Sequence, residues 1–96
     1  MRRAAKIDSN QVKVVSALRA AGVLVLSLAA LGKGVPDLLC AFRGKLVLLE
    51  VKDGQKVPSA RKLTADQVEF HKEWADVPLH VVESPWEALK AMGCVL

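Results

Sequence analysis

The chain has 96 residues, 52% of them hydrophobic and 25% charged, and a formal net charge of +4 at pH 7. Such a length holds one hydrophobic core, so residues 1–96 are expected to form a single domain. The apolar fraction excludes a disordered chain, and the longest nearly apolar run, residues 20–31 broken by Gly22 and Ser27, is too short to cross a bilayer.

The basic start, residues 1–8, is not followed by the uninterrupted apolar stretch of a secretory leader. Asp8 with Gln11 three residues on reads as a capping box that opens a helix. Gln11, Val14, Val15, Leu18 and Ala21 then recur at helical spacing, and Gly22 stops the helix. Residues 23–28 are rich in Val and Leu and short enough for a strand. Residues 29–34 form a small-residue loop, and Val35 is biased toward an extended backbone by the proline after it. Pro36 opens a second strand, residues 37–42, because the first strand position need not donate to a ladder. Arg43-Gly44 is a tight turn into a third strand, residues 45–52. Residues 53–62, with Gly54 and Pro58, form a polar loop. Thr64-Ala65-Asp66-Gln67 is another capping box and opens a helix to about residue 75. Residues 79–82 form a fourth strand. Ser84-Pro85-Trp86-Glu87 starts a last helix, with Pro at its first turn and Leu89 and Met92 on its apolar side. The order is α-β-β-β-α-β-α: an α/β fold, with a small mixed sheet flanked by helices. Trp74 and Trp86 are expected in the core. Cys40 and Cys94 read as reduced, buried thiols, which points to a cytoplasmic setting.

The hairpin carries the chemistry. Alternate strand residues share a face, so Leu46, Leu48, Glu50 and Lys52 point one way and Val47, Leu49 and Val51 the other. Pairing about the Arg43-Gly44 turn brings Asp37, at the start of one strand, beside Glu50 and Lys52 at the end of the next. A surface ion pair would explain Glu50 and Lys52 alone. With Asp37 added, two carboxylates and an ammonium converge. Hard divalent cations such as Mg²⁺ or Mn²⁺ take such oxygen ligands together with waters and substrate phosphate. Lys52 would act there as a charge stabiliser or, when deprotonated, as a proton acceptor. His71 and His80 lie on different elements and have no third partner at zinc-binding spacing. No sequence feature calls for an organic cofactor.

Pro36-Asp37 followed by Glu50-Val51-Lys52 resembles the signature of the PD-(D/E)xK nuclease superfamily. The wider context resembles its virus-type replication-repair nuclease (VRR-Nuc) branch. The matching pieces are Gly34-Val35-Pro36-Asp37-Leu38-Leu39, Leu49-Glu50-Val51-Lys52 and Leu63-Thr64-Ala65-Asp66-Gln67. The resemblance implies a restriction-endonuclease-like core and a metal held by Asp37, Glu50 and the main-chain carbonyl of Val51. It also implies a lysine, Lys52, that helps activate water, and a site glutamine, Gln67. Gln67, Phe70, His71 and Trp74 share one helix face, so the same glutamine that caps the helix is expected to reach the site. Where the branch often carries a glutamate on its first helix, this chain has Gln11. A neutral amide there points to one ion rather than two and leaves Gln11 in a supporting role, or only in the capping box.

The charge is unevenly spread. Residues 1–32 hold five basic residues and one acid, residues 33–63 seven and three, and residues 64–96 two and six. A basic first two-thirds matches a polyanion. Lys33, Lys56, Arg61 and Lys62 lie on loops around the proposed site and are expected to contact phosphates without reading bases. The resemblance implies a metal-dependent endonuclease acting on branched DNA, such as four-way junctions or flaps, in a bacterial or phage-infected cell. It also implies a homodimer, since paired cuts need two sites and a two-fold axis supplies them. A non-catalytic DNA-binding module with this fold, motivated by Gln11, and an RNA endonuclease remain open readings.

Overall fold

The structure, a computed structural model, describes residues 9–95. The first helix, α1, runs Ser9–Ala20 and buries Gln11, Val14 and Leu18, spaced at three and four residues along one face. The Asp8 half of the expected first capping box lies outside the described residues. Strands follow at Leu24–Ser27 (β1), Leu38–Phe42 (β2) and Lys45–Val51 (β3), then α2 at Ala65–Glu73, β4 at Leu79–Val82 and α3 at Pro85–Ala91. The two long loops each tighten into a short 3₁₀ turn, at Ala29–Leu31 and Pro58–Arg61.

The sheet order is β1-β2-β3-β4, antiparallel except for the parallel β3–β4 pair. Arg43 and Gly44 both have positive φ, 51° and 81°. That is the backbone hand that joins two right-twisted strands through a two-residue turn. It sets the hairpin register, with Phe42 opposite Lys45, Cys40 opposite Val47 and Leu38 opposite Leu49.

One sheet face carries the core. Leu38, Cys40, Val47, Leu49, Val51 and Val82 pack with Val14 and Leu18 of α1, with Ala88 of α3 and with Met92 just after it. Leu18, Leu38 and Leu49 are fully enclosed, each stabilising the fold by about 2–3 kcal/mol relative to an exposed side chain. The other face is only partly covered. Phe70 and Trp74 on the α2 side stand over Leu39, Leu46 and Leu48 across an apolar cleft of about 420 Å³. None of the nine residues of α2 is buried. Leu24 on this face is 73% exposed, and Leu26 and Leu46 are also open. On the outer strand, Arg19 Nη2 donates to the Val25 carbonyl at 3.2 Å.

Two expectations about packing are corrected. Trp74 is 45% exposed and Trp86 58%, so neither is a core residue. Trp74 and Phe70 stack with ring centroids 5.0 Å apart on a helix that, among the described residues, no further layer covers. Helical spacing gave the direction of that face but could not say whether anything would seal it. Cys40 is buried as expected, whereas Cys94 is only half-buried.

Candidate functional site

The site lies on the second sheet face, at the end of the hairpin away from its turn. Asp37 sits one residue before β2, at the end of a loop in which Gly32, Lys33 and Gly34 all have positive φ (64°, 53° and 80°). Its main-chain carbonyl still accepts from Leu28 N at 2.8 Å, so the chain is already in strand register there. The carboxylate Oδ2 accepts the main-chain N–H of Val51 at 2.8 Å. The side chain thus continues, past the start of β2, the ladder that a longer strand would have made. The N–H and C=O of one antiparallel strand residue leave toward the same edge, so the Val51 carbonyl is directed to the Asp37 side as well.

Glu50 alternates with Leu48 onto the same face and is 2% exposed. Its Oε2 accepts from Gln67 Nε2 at 3.1 Å and lies 3.9 Å from Lys52 Nζ. Its Oε1 is buried and meets no donor among the described residues. Burial, then the neighbouring Asp37 carboxylate, pushes the Glu50 pKa up to about 8; the Lys52 ammonium pulls it the other way. With only protein around it, Glu50 is therefore mostly protonated at pH 7. The buried carboxyl is short of positive charge.

Gln67 joins the site groups to the helix. Its Oε1 accepts from Lys52 Nζ and from Thr64 N, both at 2.9 Å. Thr64 Oγ1 in turn accepts from Gln67 N at 3.2 Å, so the capping box expected from sequence is closed. Two donors at Oε1 and a carboxyl at Nε2 leave one orientation for the amide. His71, one turn further along α2, has its pKa lowered by burial and then by the Lys52 ammonium, which favours the neutral imidazole.

Asp37, Glu50, the Val51 main chain, Lys52 and Gln67 are thus brought together. Gln11 is buried on the inward side of α1, in a cleft it shares with Ser27 and Leu38. Lys33, Lys56 and Lys62 are exposed on the flanking loops. Arg61 differs from them in that its Nη1 is paired with Glu83 Oε1 at 3.1 Å, which ties the 3₁₀ turn to the residue after β4. Asn10 was not singled out from the sequence, and Gly34, named there only within the matching stretch 34–39, makes a contact that the stretch does not disclose. Asn10 Nδ2 donates to the Lys52 carbonyl at 2.7 Å and to the Glu83 carbonyl at 3.3 Å, pinning α1 to the main chain of the site. Gly34 rests directly on the first turn of α2. A polar residue early in an inward-facing helix was a signal for Asn10. The Gly34 contact has no signal beyond the glycine itself. Among the described residues no three His, Cys, Asp or Glu side chains gather around one point. Any ion here would rest on two carboxylates and main-chain oxygen, as Mg²⁺ sites commonly do.

Fold and site together define a nuclease-fold domain. A solved structure described as a VRR_NUC domain is similar to this chain, with a TM-score of 0.64 and 28% identity over 86% of this chain and 89% of that one. That similarity supports a VRR-Nuc-like fold for this chain. No protein-family model matches the sequence. No curated protein matches it at a significant level.

Proposed function

We propose that the chain is a metal-dependent endodeoxyribonuclease that hydrolyses phosphodiester bonds in branched DNA, such as four-way junctions or flaps. The observation that carries this reading is the buried Glu50 carboxyl, one oxygen of it without a donor among the described residues, set against Asp37 and linked through Gln67 to Lys52. Such a pair of carboxyls is costly unless a cation or a proton joins it. Asp37, Glu50 and the Val51 carbonyl would hold a single Mg²⁺ or Mn²⁺, which when bound supplies a Lewis acid for the phosphoryl group and lowers the pKa of water. Lys52, kept in place by Gln67 Oε1, presents an ammonium to the charge that builds on the phosphoryl oxygens. Gln67 Nε2 holds the Glu50 carboxyl in register with it.

Lys33, Lys56 and Lys62 would neutralise phosphates on either side of the cut without reading sequence. Two copies related by a two-fold axis would supply the paired cuts a four-way junction needs. The open leucines of the second sheet face, an apolar surface that a monomer has little reason to expose, support association between copies.

The test is incubation of purified protein with linear, flapped and four-way-junction DNA, and with RNA of the same shapes, with and without Mg²⁺ or Mn²⁺. Metal-dependent nicking of branched DNA, abolished in Lys52→Ala and Asp37→Ala, is expected. Cleavage that survives a chelator, or is unchanged in Lys52→Ala, would refute the reading. Salt-sensitive binding without turnover would favour the non-catalytic module instead.

A further inference from the structure

Gln67 can bridge Lys52 and Glu50 only if the first turn of α2 stays where it is, and ordinary core packing does not hold it there. None of the residues of α2 is buried, and an open cleft separates Phe70 and Trp74 from the sheet. Two contacts do fix the turn. The first is the reciprocal cap, in which Thr64 N donates to Gln67 Oε1 and Thr64 Oγ1 accepts from Gln67 N. The same Oε1 receives the Lys52 ammonium, so the cap and the site share one atom. The second is the approach of Gly34. A Cβ at that position would fall on the Asp66 carbonyl and lie 2.8 Å from Gln67 N, and Gly34 has φ of 80°. Main chain meets main chain there. The loop that delivers Asp37 and the turn that delivers Gln67 are seated on each other at Gly34, which has no side chain.

We propose that Gly34 and Thr64 are positioning residues that hold the Gln67 carboxamide between Lys52 and Glu50. Neither touches the reacting groups; both act through Gln67. This deepens the nuclease reading and rests on it for the kinetic part of its test, but not for the spectroscopic part.

The experiment compares the full chain with Gly34→Ala, Thr64→Ala, Thr64→Ser and Ser84→Ala. Ser84 caps α3 through Glu87 N at 3.1 Å in the way Thr64 caps α2, and makes no bond to the site side chains. It is the control for losing a cap as such. The readout is the side-chain amide pair of Gln67 in ¹⁵N–¹H NMR spectra, assigned by its disappearance in Gln67→Glu. A bridged carboxamide gives a resolved pair whose protons exchange with water about tenfold or more slower than in a free glutamine. Thr64→Ala and Gly34→Ala are expected to move this pair to free-chain positions and to remove the protection. Thr64→Ser and Ser84→Ala keep both. Should Gly34→Ala fail to fold, Thr64→Ala and its serine rescue decide the matter.

If the protein cleaves DNA, kcat should fall about tenfold in Thr64→Ala with KM unchanged, and stay within about twofold of wild type in Thr64→Ser, since a small misplacement of a site group weighs on the chemical step rather than on DNA binding. A Gln67 pair unmoved by Thr64→Ala, or moved equally by Ser84→Ala, overturns the proposal. A wild type that cleaves nothing while the Gln67 pair responds as described upholds the positioning role and removes the nuclease reading.

Discussion

Replacing Glu50 by Gln is expected to make the metal-free protein more stable at neutral and alkaline pH. In the folded chain the Glu50 carboxyl titrates near 8, raised from 4.5 by burial and by Asp37. Between those values the folded state keeps a proton that the unfolded chain has released, so stability falls as pH rises through the window. Glu50 contributes its full share below about pH 4.5 and loses it once pH passes about 8. At about 1.4 kcal/mol per pH unit, the wild type should lose about 3 kcal/mol more than Glu50→Gln between pH 5 and pH 8. For a domain of this size that is a difference of about 10–20 °C in melting temperature. The assay is thermal or urea unfolding of both proteins at pH 5, 6, 7 and 8 in a chelator, repeated with Mg²⁺ or Mn²⁺. The two curves should meet near pH 5 and diverge above it. The metal should then restore the wild type alone, by about 2.7 kcal/mol at one hundred times its dissociation constant. Parallel pH profiles, or a Gln variant less stable than wild type at pH 8 in chelator, would show that Glu50 is not held against its own charge.

Three further outcomes follow from the same structure. Lys52→Ala should lower the cleavage rate about a hundredfold or more while leaving the melting temperature within a few degrees, because it removes an ammonium aimed at developing charge and no core volume; nicking kinetics and calorimetry on one preparation check both. Leu49→Ala empties a fully buried position on the core face and should cost about 2–5 kcal/mol in urea unfolding, where an exposed Leu24→Ala should cost under about 0.5. Burial pushes the Cys40 thiol up to about 11, so iodoacetamide at pH 8 should leave Cys40 unmodified in the native chain and alkylate it once urea unfolds the protein, as read by peptide mass.

What the sequence disclosed was whatever a short stretch of chain decides for itself. Thr64 and Gln67 are three residues apart, and their cap formed as the spacing required. Arg43-Gly44 fixed a two-residue turn, and strand alternation then placed Asp37, Glu50 and Lys52 on one face without knowledge of the rest. What stayed hidden depends on how distant pieces meet. Asn10 reaches carbonyls 42 and 73 residues away, and Arg61 finds Glu83 across 22. The apolar spacing of Phe70 and Trp74 identified the inward side of α2 but could not reveal that the helix stands off the sheet. The raised pKa of Glu50 was hidden for the same reason, since it needs the depth of burial as well as the neighbour.

The bond from Arg19 to the Val25 carbonyl bears on how this domain can associate with others. Leu28 pairs with Asp37 through its N–H, so by antiparallel alternation the main chain of Val25 faces outward from the sheet. That carbonyl is what an incoming strand would have to grasp, and a guanidinium already occupies it at 3.2 Å. Strand addition at the β1 margin of the sheet, a route to fibrillar aggregates, is disfavoured at this position. Association through the leucine side chains of the second face would leave each four-stranded layer intact.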